Sequence, residues 1–371
     1  MLITLLVAFF SLILLMVIHE FGHFIIAKKF GVKVEEFGIG YPPRLFGKRF
    51  GQTLYSINLI PLGAFVKIFG EEGDVHDPKS FSNLAIWKRI LIVLGGVLAF
   101  WVAAVIIFSL LFSIGAKVPV GDQDIDGATN VDVTVMSVEK NSPAEAAGIQ
   151  AGDVIKSAKS NTAETTIYKM GDFQNFIKDN KGNPVTVTVQ REGASLNFNV
   201  TPRINPLEGQ GATGVSLERL ATIIEKYPWY QAPWQGTVFT GKVTFEALKK
   251  LGEFFGHIFG GKGLPSGTQL AGPVGITIFL ANSASYGLGF FLYFVGSLSV
   301  LLAIFNLFPI PALDGGKLVF LIIEKIMGRP VPVRWEQTIT IIFFVLLITM
   351  SLFITIRFDI PRAVDFWQAG L

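Results

Sequence analysis

The chain reads as a polytopic α-helical membrane protein, with four transmembrane helices, a membrane-dipping β-hairpin and an inserted α+β domain. Three observations carry this reading. Of 371 residues, 51% are hydrophobic and the mean hydropathy is +0.53, too apolar for an ordinary soluble enzyme. Four apolar stretches are each long enough, at about 1.5 Å per residue, to cross a hydrocarbon core of about 30 Å. A long polar, β-rich segment separates the second stretch from the third.

The first span is Leu2 to Ala27. No basic region precedes it and Lys28-Lys29 follow it, which argues against a cleavable signal peptide and puts the N-terminus outside. The second span runs from Ile90 to about Ile114, the third from about Phe290 to Phe308, the fourth from about Ile339 to Ile356. Basic residues crowd the connection between spans one and two, among them Lys28, Lys29, Lys33, Arg44, Lys48 and Arg49, and Lys317, Lys325, Arg329 and Arg334 lie between spans three and four. Both connections therefore read as cytosolic, and the insert and the C-terminus as extracytoplasmic. This divides the chain into an N-terminal membrane half (1–115), an outer domain (116–218), an outer linker (219–285) and a C-terminal membrane half (286–371).

Inside the first cytosolic connection, Leu54 to Gly70 is unusually apolar but too short to span. Two β-like runs flank Pro61-Leu62-Gly63, predicting a hairpin with its turn there. It either dips into the membrane interface or packs peripherally on the spans. The outer segment from Asn130 to about Arg203 alternates short β runs with small helices. Ser142 to Ile155 predicts a capped helix and a glycine turn into a strand, and Met170 to Asn180 a second helix. Thr237 to Phe259 is amphipathic and reads as an interfacial helix.

Against this background one motif stands out, His19-Glu20-Phe21-Gly22-His23, inside the first span. On a helix, His19 and His23 project from one face, one turn apart. Two nitrogen donors at that spacing suit a zinc ion, with Glu20 beside them as proton acceptor. Ionisable groups in lipid are costly and generally functional. The chain has no cysteine and only two further histidines, His76 and His257, neither at the depth of the motif. With no thiolate to offer, a third zinc ligand is sought in an acid or a histidine at the same depth. Asn306-Leu307-Phe308-Pro309-Ile310-Pro311-Ala312-Leu313-Asp314-Gly315-Gly316 follows span three at matching depth. Its prolines break the helix and set Asp314 just ahead of a new one, where it is either a helix cap or a metal ligand. Asn306 is either interhelical glue or a donor to a substrate. A net charge of +3 gives no argument for nucleic acid; membrane lipid is the partner the composition implies. A non-enzymatic scaffold with a structural zinc, or a transporter, are rival classes. The transporter would call for a second broken helix.

Taken together, HEFGH in span one, NLFPIPALDGG after span three, FGIGYPPRLF, the apolar hairpin and AGPVGI at Ala271 to Ile276 resemble the site-2 protease family of intramembrane metalloproteases. The resemblance covers nearly the whole chain. It implies that His19, His23 and Asp314 bind Zn2+, that Glu20 is the general base, and that Asn306 and the hairpin at Pro61, Leu62 and Gly63 hold an unwound substrate. It further implies a bacterial inner membrane enzyme that cuts single-span proteins, such as anti-sigma factors or remnant signal peptides. The outer domain is similar to a PDZ domain, from SPAEAAGIQAGDVI and VTVTVQREG, and would filter or dock substrates. One such domain is found, where some family members carry two.

Overall fold

The computed structural model describes the chain except residues 1, 72, 74, 116, 120–121, 123–128, 192, 207–210, 223–226, 262–269, 286 and 369–371. The chain divides into two compact units, one built from residues 1–110, 231–287 and 291–371, the other from 111–230 with 288–290.

The first unit begins with α1 (Leu2–Lys29), whose last turn carries Lys28 and Lys29, cations favourable at a helix C-terminus. Strands β1 (Val34–Phe50) and β2 (Thr53–Ile68) follow, then α2 (Ile86–Ile114). The strand pair departs from the expected hairpin. The runs on either side of Pro61-Leu62-Gly63 do not pair with each other. Residues 36–39 of β1 lie between them, matched to Leu54–Ile57 on one side and to Ala64–Lys67 on the other. The tight turn is at Gly51-Gln52, and Pro61 to Gly63 form a crossover at the end of the sheet. Pro61 has no N–H to give a ladder, and Gly63 has φ +123°, so this segment bends instead of pairing. Thr53 Oγ1 donates to Val34 O at 2.9 Å and pins the arrangement.

In the second unit a seven-stranded sheet carries two short helices. Its elements are β3 (Lys117–Pro119), β4 (Thr129–Val138), α3 (Pro143–Ala147), β5 (Val154–Lys159), β6 (Glu164–Thr166), α4 (Met170–Asp179), β7 (Val185–Arg191), β8 (Ala194–Val200) and β9 (Val215–Thr222). Strand order is β3-β9-β4-β5-β7-β8, with β6 on β5. The expected capped helix is α3: Ser142 Oγ accepts from Glu145 N at 3.1 Å, Pro143 opens the helix and Gly148 closes it. Val133, Val135, Ile155, Val187 and Phe173 lead its apolar core.

The chain then returns to the first unit with α5 (Ala232–Phe259), α6 (Pro273–Ser285), α7 (Leu288–Asn306), α8 (Asp314–Met327), α9 (Val333–Ile354), a π-helical turn (Thr355–Asp359) and α10 (Ile360–Gln368). Helices α1, α2, α7 and the run Val333–Val364 are long and apolar enough to cross a membrane. Apolar residues of α1, α2, α6 and α7, including Ala8, Leu15, Phe100, Leu280 and Leu298, form one core. α6 was not anticipated as a helix. α5 starts five residues ahead of the amphipathic stretch, and its N-terminal half packs on α2: Thr240 is buried, and a side chain at Gly236 would meet Ser109 and Val105 O. α9, by contrast, buries no residue.

Candidate metal centre

The helical spacing of the motif brings His19 and His23 to one face of α1, with their Nε2 atoms 3.3 Å apart. Asp314, first residue of α8, directs Oδ2 to 3.4 Å from each of them. Three donor atoms thus form a nearly equilateral triangle. Tetrahedral zinc with ligand bonds of about 2.0–2.1 Å separates neighbouring donors by about 3.3–3.4 Å, so the donor set fits that ion. Asp314 Oδ2 is buried without a hydrogen-bond partner, an arrangement that is costly unless something else satisfies the oxygen. Among the described residues this is the one group of three or more His or acidic side chains with metal-ligand spacing.

The imidazoles are held from behind. His23 Nδ1 is 2.9 Å from Ile92 O. A carbonyl only accepts, so Nδ1 carries the proton and the Nε2 lone pair is left for a cation. The His19 ring stacks on Phe100 at 4.7 Å between centroids. Both contacts come from α2, which lies very close to α1. A side chain at Gly22 would run into Gly95 O, and one at Gly95 would meet Gly22 O at 2.7 Å. One at Gly96 would occupy the positions of His23 Nε2 and His19 Cε1. Small residues at a helix crossing in a membrane permit such approach. Gly95-Gly96 in an apolar span and Gly22 inside HExxH were the sequence signals for it, and sequence reasoning passed over them.

Glu20 faces another way. Its Oε2 accepts from the backbone N–H of Val66 at 3.0 Å, in the arm of β2 that follows the Pro61–Gly63 crossover. That arm borders the motif, and Val66 was not foreseen as a site residue. Gly63 is buried, 3.1 Å from Met16 Sδ for a Cβ placed there, whereas Pro61 and Leu62 are exposed. Burial, with the charge of Glu20 adding to it, raises the pKa of the Tyr41 phenol.

Asp314 is positioned by the break after α7. Leu313 N donates to Ile310 O at 2.8 Å, closing the turn that the prolines begin. α8 starts at Asp314 itself, so the acid stands inside the first turn and not just ahead of it as expected. A side chain at Gly315 would collide with Phe308 O and Leu307 O, which explains a small residue beside the acid. Two ion pairs fasten α8: Arg89 of α2 with Glu324 through two contacts at 2.9 and 2.5 Å, and Lys317 with Glu71 at 2.5 Å. Among the described residues Asn306 makes no interhelical bond; its Nδ2 donates to Leu302 O of its own helix at 2.9 Å.

A cavity of about 1010 Å3 opens onto this cluster. Its lining includes His19, Glu20, Asn306 and Asp314, and extends to Glu336 and Thr340 of α9. Pro61, Leu62 and Gly63 do not line it.

The sequence matches the family model described as Peptidase family M50 over residues 7–350. It is 35% identical over 355 residues to a Clostridium perfringens protein named "Putative zinc metalloprotease", covering 95% of this chain and 96% of that one. A Nostoc protein of the same name is 30% identical over 363 residues, with 95% of each chain covered. The Regulator of sigma-E protease RseP of Salmonella typhimurium is 27% identical over 435 residues, covering 91% of this chain and 95% of its own.

Proposed function

This chain belongs to peptidase family M50, and on that premise we propose that it is a zinc endopeptidase that cuts the transmembrane segments of single-span proteins within the membrane. The observation that carries the reading is the triangle of His19, His23 and Asp314, at 3.3–3.4 Å, within and beside the first apolar span. These three residues hold Zn2+. Bound zinc supplies Lewis acidity, polarising a carbonyl and bringing the pKa of water to about 7.

The protein's own groups do the rest. Val66 N–H holds Glu20 Oε2 and leaves Oε1 to receive the proton of the attacking water and return it to the leaving amine nitrogen. The proton on His23 Nδ1, held by Ile92 O, keeps the ring in one orientation. A helical substrate hides its carbonyls in hydrogen bonds and must be unwound before attack. The β2 arm beside Glu20 receives the unwound strand by edge addition. The Pro61-Leu62-Gly63 crossover shapes that edge, and Asn306 faces the strand from the cavity.

The unit from 116 to 218 is a PDZ-like domain, supported by its capped α3 and β-rich order, and acts as filter or dock for substrates. Residues 219–285, expected as a linker beyond it, begin within β9 and run on into α5 and α6, which belong to the first unit. The enzyme lies in a bacterial inner membrane, with both termini and the PDZ-like domain outside and the zinc towards the cytosol, as the basic connections favour. Its substrates are anti-sigma factors or remnant signal peptides, a reading in keeping with the name of the Salmonella relative. Glu20→Gln should keep one zinc per chain by elemental analysis and lose cleavage of a single-span substrate by at least about a hundredfold. Undiminished cleavage would sink the mechanism.

A further inference from the structure

We propose that Glu336 is a specificity determinant that receives a lysine or arginine side chain from the flank of the segment being cut. The inference rests on the protease reading for the identity of its ligand, but not for its geometry. Glu336 stands in the first turn of α9 and lines the cavity that opens onto His19, Glu20 and Asp314. The charged groups around it are Lys317, Glu324, Glu71 and Arg89. All four are already committed, Lys317 to Glu71 at 2.5 Å and Arg89 to Glu324 at 2.9 and 2.5 Å. Among these charges Lys317 bears most on Glu336. Glu336 makes no side-chain hydrogen bond or ion pair among the described residues, so its carboxyl group lines that end of the cavity without a paired cation.

A single carboxylate is too few ligands for a metal ion, yet it suits one ammonium or guanidinium group. Its depth agrees. Thr340, one turn further along the same face, donates to Pro311 O at 3.2 Å, level with the loop that leads to Asp314. Glu336 therefore lies about 5–6 Å beyond that loop, towards the basic connection between α8 and α9. Membrane-spanning segments carry Lys and Arg at their cytosolic ends. An unwound segment at the zinc would run its basic flank past this position.

The test uses full-length Glu20→Gln protein in dodecyl maltoside micelles and fluorescent single-span peptides that differ only in one flank residue, Lys, Ala or Glu. Within Glu20→Gln, the Lys peptide should bind about three- to tenfold more tightly than the Ala peptide. Adding Glu336→Gln should bring that ratio to about one, and Glu336→Lys should turn the preference towards the Glu peptide. A glutamate serving only the dipole of α9 would leave the ratios unmoved. Equal binding of Lys and Ala peptides, or an unchanged ratio in Glu336→Gln, overturns the proposal. Cleavage by the wild type is read separately: its absence with zinc present would overturn the protease reading, while the binding ratios would still decide the role of Glu336.

Discussion

Gly96 has no side chain to contribute, yet it decides whether the proposed zinc ligands can stand where they do. A methyl group there would fall on His23 Nε2 and His19 Cε1. Neither ring can retreat cheaply, because Ile92 O holds one and Phe100 is stacked on the other. Gly96→Ala should therefore lower zinc content well below one per chain and cost about 1–3 kcal/mol of stability, read by elemental analysis and thermal unfolding of the detergent-solubilised protein. Full zinc occupancy would show that the rings tolerate displacement. At this scale the paired motif histidines were legible from residue type and local spacing, whereas Asp314 stood open between a helix cap and a metal ligand until the resemblance favoured the ligand. Val66 was not legible. Its contribution is a backbone N–H, which every residue except proline possesses, so no side-chain pattern could single it out.

Among the elements, α8 carries the third proposed ligand on a helix of 14 residues, and side-chain fastenings hold it in register. Leu318 and Leu321 pack into the core formed by Ala27, Val34, Ile68 and Ile92, and the Arg89–Glu324 pair joins α8 to the start of α2. Arg89→Ala leaves Glu324 half-buried without its cation and should cost about 3 kcal/mol, with zinc lost at lower denaturant concentration than in the wild type. Arg89→Met combined with Glu324→Leu should recover most of that loss, since an apolar pair removes both desolvation costs. If the double variant is no better than the single one, the pair acts as more than a fastener. The strand pair shows where element-level reading stopped. Alternation and the Pro-Leu-Gly break predicted two β runs around a turn, and both runs are present. Their partner is residues 36–39, and strand partnering is set by long-range register, which alternation alone does not encode.

For the whole molecule, the four apolar helices and the separate β-rich unit follow the hydropathy of the chain. The proposed orientation is open to a direct check, because the sequence contains no cysteine. A single Lys159→Cys, in the β-rich unit, should react with an impermeant maleimide in spheroplasts. Lys48→Cys, in β1, should react only after permeabilisation, and the reverse pattern would refute the orientation. What the sequence determined by itself was the class of the molecule, its apolar helices, the paired imidazoles and the acid behind a proline break. Each of these is written in composition or in spacing within a few residues. Only the tertiary structure decided that α2 presses on the motif through Gly22, Gly95 and Gly96, that the β2 arm reaches Glu20, and that Asp314 meets histidines nearly three hundred residues away. Those depend on how helices and strands approach one another, and close approach is governed by shape and backbone geometry that residue type leaves open.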